Sequence, residues 1–306
     1  MRFCKESMAE ILSLLQKALI RDKAISFEVF NPDLYEGYAG ASVSYEGQIY
    51  LYRGYKAWID LAEVLKCKMC TPMIGVAPFV RLRFLALSKH SFHDTTKENE
   101  KYGVGSVFSQ IYKMEEPAFY YYYQEALSNV KISQRKSVLN LGINRGDELE
   151  VIKNIVDTKV YQGITFVGID HSQTAIKYAQ SKFNASNELF YAYDLNDLDS
   201  LSLGKFDMLI SIGTLQSLSN FKPFFMNLVQ KYLSHDASII LGFPNSRWLG
   251  GEVIYGAKAP HYSMSEMGLV LTDILFCKKY LQQKKYRVRI TGKYYLFLTA
   301  TRIGLS

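Results

Sequence analysis

The chain has 306 residues, 48% hydrophobic and 21% charged, with a net charge of +7. That is enough apolar material for one large core or two moderate ones, and no run nears the roughly 20 apolar residues of a membrane span. Residues 1–23 have helical spacing, but Glu6, Glu10 and several lysines interrupt them, so they lack a signal peptide's apolar centre. The four cysteines, Cys4, Cys67, Cys70 and Cys277, set up no disulfide framework, which suits a reducing compartment. A soluble, cytoplasmic protein without membrane contact is expected.

After the opening helix, Ser42–Tyr52 reads as a hairpin turning at Glu46-Gly47. Tyr55–Lys68 has helical spacing through Trp58, Leu61, Ala62 and Leu65, and Phe79–Phe84 alternates as a half-exposed strand does. Cys67-Lys68-Met69-Cys70 is a lone pair of cysteines; His90 and His93 follow at a spacing shorter than a zinc finger's, so no metal site is predicted. Residues 88–114 are polar and contain glycine, which marks a loop suited to contacting substrate, with Tyr102 and His93 as candidate contacts. Glu115-Glu116-Pro117 then starts a helix, acids at the positive end and proline in the first turn. Its run Phe119–Tyr123 puts aromatic rings all round, which predicts a buried helix between two domains.

From Ser137 the pattern alternates. Strands are predicted at Val138–Leu141, Thr165–Ile169, Leu189–Tyr193, Met208–Ser211 and Ser238–Leu241, with helices at Asp147–Val156, Ser172–Phe183 and Phe221–Leu233. Such alternation implies a parallel sheet covered on both faces. A helix at Ser265–Gln282 leads to strands Tyr286–Thr291 and Tyr294–Thr301, and their two-residue link, Gly292-Lys293, allows only an antiparallel hairpin. The expected organisation is a small α+β domain over 1–130, with a substrate or lid role, and an α/β domain over 131–306.

Ser137–Glu148 carries the chemistry. A short apolar strand ends at Asn140-Leu141, turns through Gly142, Asn144 and Gly146, and opens into the acidic helix start Asp147-Glu148. Glycines let the backbone approach a ligand. Asp170 ends the next strand, 24 residues after Gly146, and Asp194 ends the third, 24 residues after Asp170. A dinucleotide-binding domain also places an acid after its second strand, but the loop does not give GxGxxG.

In this series, and in the closing hairpin, the chain resembles the class I S-adenosylmethionine (SAM) methyltransferases over about 137–302. The resemblance implies a Rossmann-like, mostly parallel seven-stranded sheet with an antiparallel terminal hairpin. It implies SAM as methyl donor and S-adenosylhomocysteine as product. It assigns the cofactor to Asn140, Gly142, Asn144, Gly146, Asp170, His171, Asp194, Leu195 and Ser211: Asp170 on the ribose hydroxyls, His171 along the adenine, Asp194 and the Leu195 amide on its edge. Asn140 stands where the family has an acid and Asn144 where it commonly has glycine, although asparagine tolerates a left-handed backbone. Asp147 or Glu148 offers a replacement charge, or simply serves the helix start.

For the acceptor, Phe206–Leu218 resembles the variant of enzymes that methylate small molecules or oxygen and carbon acceptors, and the Asn/Asp-Pro-Pro-aromatic sequence of base-amino methyltransferases is absent. Gln216, Arg247, Trp248, Tyr255 and His261 are candidate acceptor contacts beyond the strands' carboxyl ends. The leading expectation is a small-molecule or metabolite acceptor. From Ile274 onward, however, there are eight basic residues and no acidic one, against 14 acidic and 10 basic over Ser137–Asp273. That tail suits either a solvated face or RNA, so tRNA or rRNA modification is the alternative. A SAM-binding protein without catalysis is the third reading.

Overall fold

The computed structural model describes residues 1–87, 103–106, 108–244, 267–293 and 295–304. These form two compact units, one within 1–87 and one from 103 onward. The first unit runs β1 (Arg2–Phe3), α1 (Met8–Arg21), β2 (Ala24–Phe30), β3 (Ser42–Tyr45), β4 (Gln48–Leu51), α2 (Tyr55–Val64), β5 (Cys67–Met69), β6 (Met73–Ile74) and β7 (Phe79–Ala86). α1 starts on a reciprocal cap: Ser7 Oγ accepts from the Glu10 amide at 3.3 Å, and Glu10 accepts from the Ser7 amide at 2.7 Å. Such a cap is worth about 1 kcal/mol.

The sheet of this unit has the order β1-β2-β7-β5, with β6 also on β7. β7 alternates as its sequence predicts, with Leu82 and Phe84 fully buried beside Phe27 and Trp58 while Arg81 and Arg83 face solvent. β3 and β4 form the expected hairpin, turning through Glu46 (φ 49°) and Gly47 (φ 78°). The helix expected over Tyr55–Lys68 is shorter. It stops at Val64, Lys66 turns left-handed (φ 55°), and Cys67–Met69 pairs with β7 instead. Strand pairing there outweighs helical spacing.

The second unit contains α3 (Pro117–Asn129), β8 (Ser137–Leu141), α4 (Asp147–Ile155), α5 (Thr158–Gln162), β9 (Thr165–Asp170), α6 (Gln173–Lys182), β10 (Glu188–Ala192), β11 (Phe206–Ile212), α7 (Phe221–Lys231), β12 (Leu233–Pro244), α8 (Met267–Gln283), β13 (Tyr286–Gly292) and β14 (Tyr295–Arg302). Its seven strands have the order β10-β9-β8-β11-β12-β14-β13. The first five are parallel, while β14 runs antiparallel to both of its neighbours. The Rossmann-like sheet expected from the sequence is therefore present.

Alternation along the central strands feeds two cores, one per face. Leu139, Leu141, Leu209 and Leu241 join α7 and α8 on one side. Val138, Met208, Ile210 and Ile240 join α3, α4 and α6 on the other. α3 packs in this second core and belongs to the second unit. Phe119 and Tyr123 are buried, but Tyr121 is 64% exposed, so the helix is two-faced and not buried all round. Among the described residues, no helix is long and apolar enough to cross a membrane.

Candidate functional site: the carboxyl edge of the parallel sheet

β8 lies inside the sheet between β9 and β11, and its exit loop is shaped by backbone geometry that side chains resist. Gly142 has φ +77°, and a Cβ there would lie 1.8 Å from Thr214 Oγ1. Gly146 has φ +82°, and its Cβ would lie 2.5 Å from the Phe183 ring. Asn144 takes φ 47°, the left-handed conformation that asparagine tolerates better than most residues. The amides of Gly142 and Ile143 both donate to the Ile169 carbonyl, at 2.7 and 3.2 Å, which ties the loop to β9.

Asp170, at the end of β9, is buried with 6% exposure. One carboxylate oxygen accepts from the Asn144 amide at 3.0 Å and the other from the Ser172 amide at 2.9 Å. Ser172 caps α6 as its position predicts, accepting from the Ala175 amide at 3.2 Å. The neighbouring His171 is 46% exposed on its side chain, with Nδ1 3.5 Å from Asp170. Asp194 is exposed and caps a short 3-10 turn over Leu195–Leu201, accepting from the amide and the side chain of Asn196 at 2.8 and 2.9 Å; Leu195 is buried. Ser211 is buried and donates to the Leu141 carbonyl at 3.0 Å, a link between β11 and β8.

Two buried amides are conspicuous. Asn140 and Gln216 are each 2% exposed, and Asn140 Nδ2 and Gln216 Nε2 have no hydrogen-bond partner among the described residues. An unpaired buried donor costs about 1–3 kcal/mol. Two of them at one sheet edge, beside a glycine loop packed closely on Thr214 and Phe183, fit a bound polar ligand.

The sequence pointed to Glu148 only as one of two possible charges and not at all to the group around it. Glu148 is buried in the first turn of α4, while Asp147 and Glu150 of that turn are partly exposed. Burial raises its carboxyl to about 7, with Lys113 pulling the other way. Glu116 is likewise raised to about 7 by burial against the pull of Lys113. Burial alone would lower the Lys113 ammonium, but Tyr295 and Glu148 hold it above its ordinary value. Tyr295 closes the end of β11: Gly213 has φ +74°, and a Cβ there would lie 2.3 Å from the Tyr295 hydroxyl and 4.0 Å from Lys113 Nζ. Lys113 lies in a polar stretch with no periodicity, so only folding reveals its place beside Gly213 and Tyr295.

Arg145 fastens that stretch to the cofactor loop. Its guanidinium donates to the Ser109 carbonyl at 2.7 Å and the Ile111 carbonyl at 3.3 Å. Farther along the edge, the Val104 amide donates to Thr174 Oγ1 at 3.1 Å. His93, Tyr102, Arg247, Trp248, Tyr255 and His261 lie outside the described residues.

A parallel sheet in this order, with an antiparallel strand inserted next to its edge and a glycine loop leading to an acid at the second strand's end, defines a Rossmann-like methyltransferase. A model of the methyltransferase domain matches residues 132–286, half of the chain, and the protein belongs to that family. It is a SAM-dependent methyltransferase, with SAM as donor and S-adenosylhomocysteine as product. Solved structures similar to it include the plantazolicin methyltransferase BpumL in complex with S-adenosylhomocysteine (17% identity, 63% of this chain and 88% of that one, TM-score 0.47). Others are a SAM-dependent methyltransferase from Aquifex aeolicus (18%, 64% and 98%, 0.44) and the N-methyltransferase NodS from Bradyrhizobium japonicum WM9 (16%, 63% and 91%, 0.44). No curated protein matches the chain.

Proposed function

We propose that the protein methylates a small molecule or metabolite, and that its cofactor contacts come from the edge just described. Bound SAM supplies an activated methyl group on a sulfonium, so the protein's task is mainly to hold the reactants in line. Asp170 takes the ribose hydroxyls, since a carboxylate offers about four lone-pair sites and the loop amides use two. His171 lies along the adenine, whose edge meets Asp194 and the Leu195 amide. Gly142, Asn144 and Gly146 let the backbone approach, and Asn140 and Ser211 line the strand ends. Gln216, with Tyr102, Arg247 and Tyr255, handles the acceptor. The amino-terminal unit lies outside the matched segment, and we assign acceptor selection to it. The free cysteines suit the cytoplasm.

The closed end of β11 carries the small-molecule half of this reading. Tyr295 and Lys113 pack against Gly213, and the next turn presents the unpaired amide of Gln216. Such a wall suits a slim acceptor better than a polynucleotide. Two of the eight basic residues of the tail are also engaged in the fold: Arg289 donates to Asn129 at 2.5 Å, and Arg302 donates to the His235 carbonyl and lies over the Tyr286 ring. The exposed Lys279, Lys284, Lys285 and Arg287, on and beside edge strand β13, are what favour RNA.

Transfer of radiolabelled methyl from SAM into fractionated cell extract tests the acceptor. Label is expected in the metabolite fraction. Recovery in RNA, with transfer falling steeply as salt rises, would install the RNA reading instead.

A further inference from the structure

Building on this donor reading, we infer that Glu148, with Lys113 beside it, receives the amino-acid end of SAM, supplying the negative charge that position 140 lacks. Strand alternation turns Asn140 toward the face of the sheet that α4 covers. Val138 packs in the core shared with α3 and α4, and Asn140, two residues on, points the same way. Leu149 and Ile152 anchor α4 in that core, and the Tyr123 hydroxyl donates to the Glu148 carbonyl at 3.3 Å, fixing the helix start. The orphaned amide of Asn140 and the buried carboxyl of Glu148 thus belong to one layer at the carboxyl edge.

Charge balance favours the same assignment. An asparagine can accept a hydrogen bond but brings no net charge to a cationic ligand. Glu148 is flanked by Lys113 from the segment before α3, Asp147 on its own helix, Asp170 from β9, Tyr123 from α3 and Tyr295 from β14. Two acids and one cation around a buried carboxyl leave its ionised form short of positive charge. The donor's amino-acid end is a zwitterion. Its ammonium suits Glu148 and its carboxylate suits Lys113, so binding completes a set of alternating charges that burial otherwise disfavours.

Calorimetry with two ligands separates this role from mere packing. S-adenosylhomocysteine carries the amino-acid end, whereas 5′-methylthioadenosine keeps the adenosine and lacks that end. Glu148→Gln should weaken S-adenosylhomocysteine by about 30-fold or more and leave 5′-methylthioadenosine unchanged. Lys113→Met should show the same selectivity. Equal weakening of both ligands, or no weakening, overturns the assignment. Absence of binding of either ligand to the folded wild type overturns the donor reading itself, and with it this one.

If those variants fail to fold, the Glu116→Gln chain decides, because Glu116 also titrates near 7 and faces Lys113. Between pH 6 and 7.5 the α-amino group, which titrates near 8, stays charged while Glu148 ionises. The affinity ratio of S-adenosylhomocysteine to 5′-methylthioadenosine should rise across that range; a flat ratio refutes the proposal. His171 and Asp170 meet the portion common to both ligands, so their effects cancel in the ratio.

Discussion

Asp170 has two tasks that draw on the same oxygens. Its carboxylate holds the amides of Asn144 and Ser172, and in the proposed function it also takes the ribose hydroxyls. Asp170→Ala should therefore abolish S-adenosylhomocysteine binding and also lower stability by about 2–4 kcal/mol, because two amides lose their acceptor. Calorimetry and urea unfolding read the two effects separately; unchanged affinity would refute the ribose role. Asp170→Asn should rescue little, since it turns one acceptor oxygen into a donor facing a backbone amide. At this scale the sequence is most legible where the backbone dictates the residue. Gly142 and Gly146 stand at positive φ against Thr214 and Phe183, and Asn144 takes the left-handed bend between them. Glu148 was legible only as an acid at a helix start, because its burial depends on α3 and β14.

Among the elements, the stretch before α3 owes its position to the cofactor loop more than to its own sequence. Arg145 donates to two of its carbonyls, and hydrogen bonds from a charged group are worth about 1.5–3 kcal/mol. Arg145→Ala should release it locally. The expected sign is faster hydrogen exchange over residues 109–116, by about ten-fold or more, with β8 and β9 unaffected. Exchange unchanged in that stretch would show that Lys113 and the Tyr112 hydroxyl, which donates to Glu150 at 2.6 Å, hold it without Arg145. Regular elements were readable from period alone wherever a strand faces two cores or a helix faces one, as in β8, β9 and α6. Period failed at Leu65–Met69, where a left-handed Lys66 converts the end of a helical pattern into β5. It failed again for α3, whose aromatic run suggested burial on every side although Tyr121 faces water.

For the whole molecule, pH acts on stability through the two raised carboxyls. Glu148 and Glu116 titrate near 7 in the fold, against 4.5 ordinarily, so between those values the folded chain binds more protons than the unfolded one. Their contribution is fully present below about 4.5 and is lost as pH rises through 7. The lowered carboxyls of Glu28 and Glu150 act in the opposite direction, at and below 4.5. The melting temperature should therefore fall from pH 5.5 to 8, and the Glu116→Gln, Glu148→Gln double variant should flatten that fall. Parallel wild-type and variant profiles in scanning calorimetry would show that these groups are not responsible. The topology has a consequence for synthesis on the ribosome as well. β14 follows β13 in the chain but lies between β12 and β13 in the sheet. Until residues 295–302 emerge, the apolar β12 has an open edge and β13 has no partner. The nascent second unit is thus a five-stranded sheet with an open β12 edge and an unpaired β13, exposed to pairing with other chains until the closing strand slides into place.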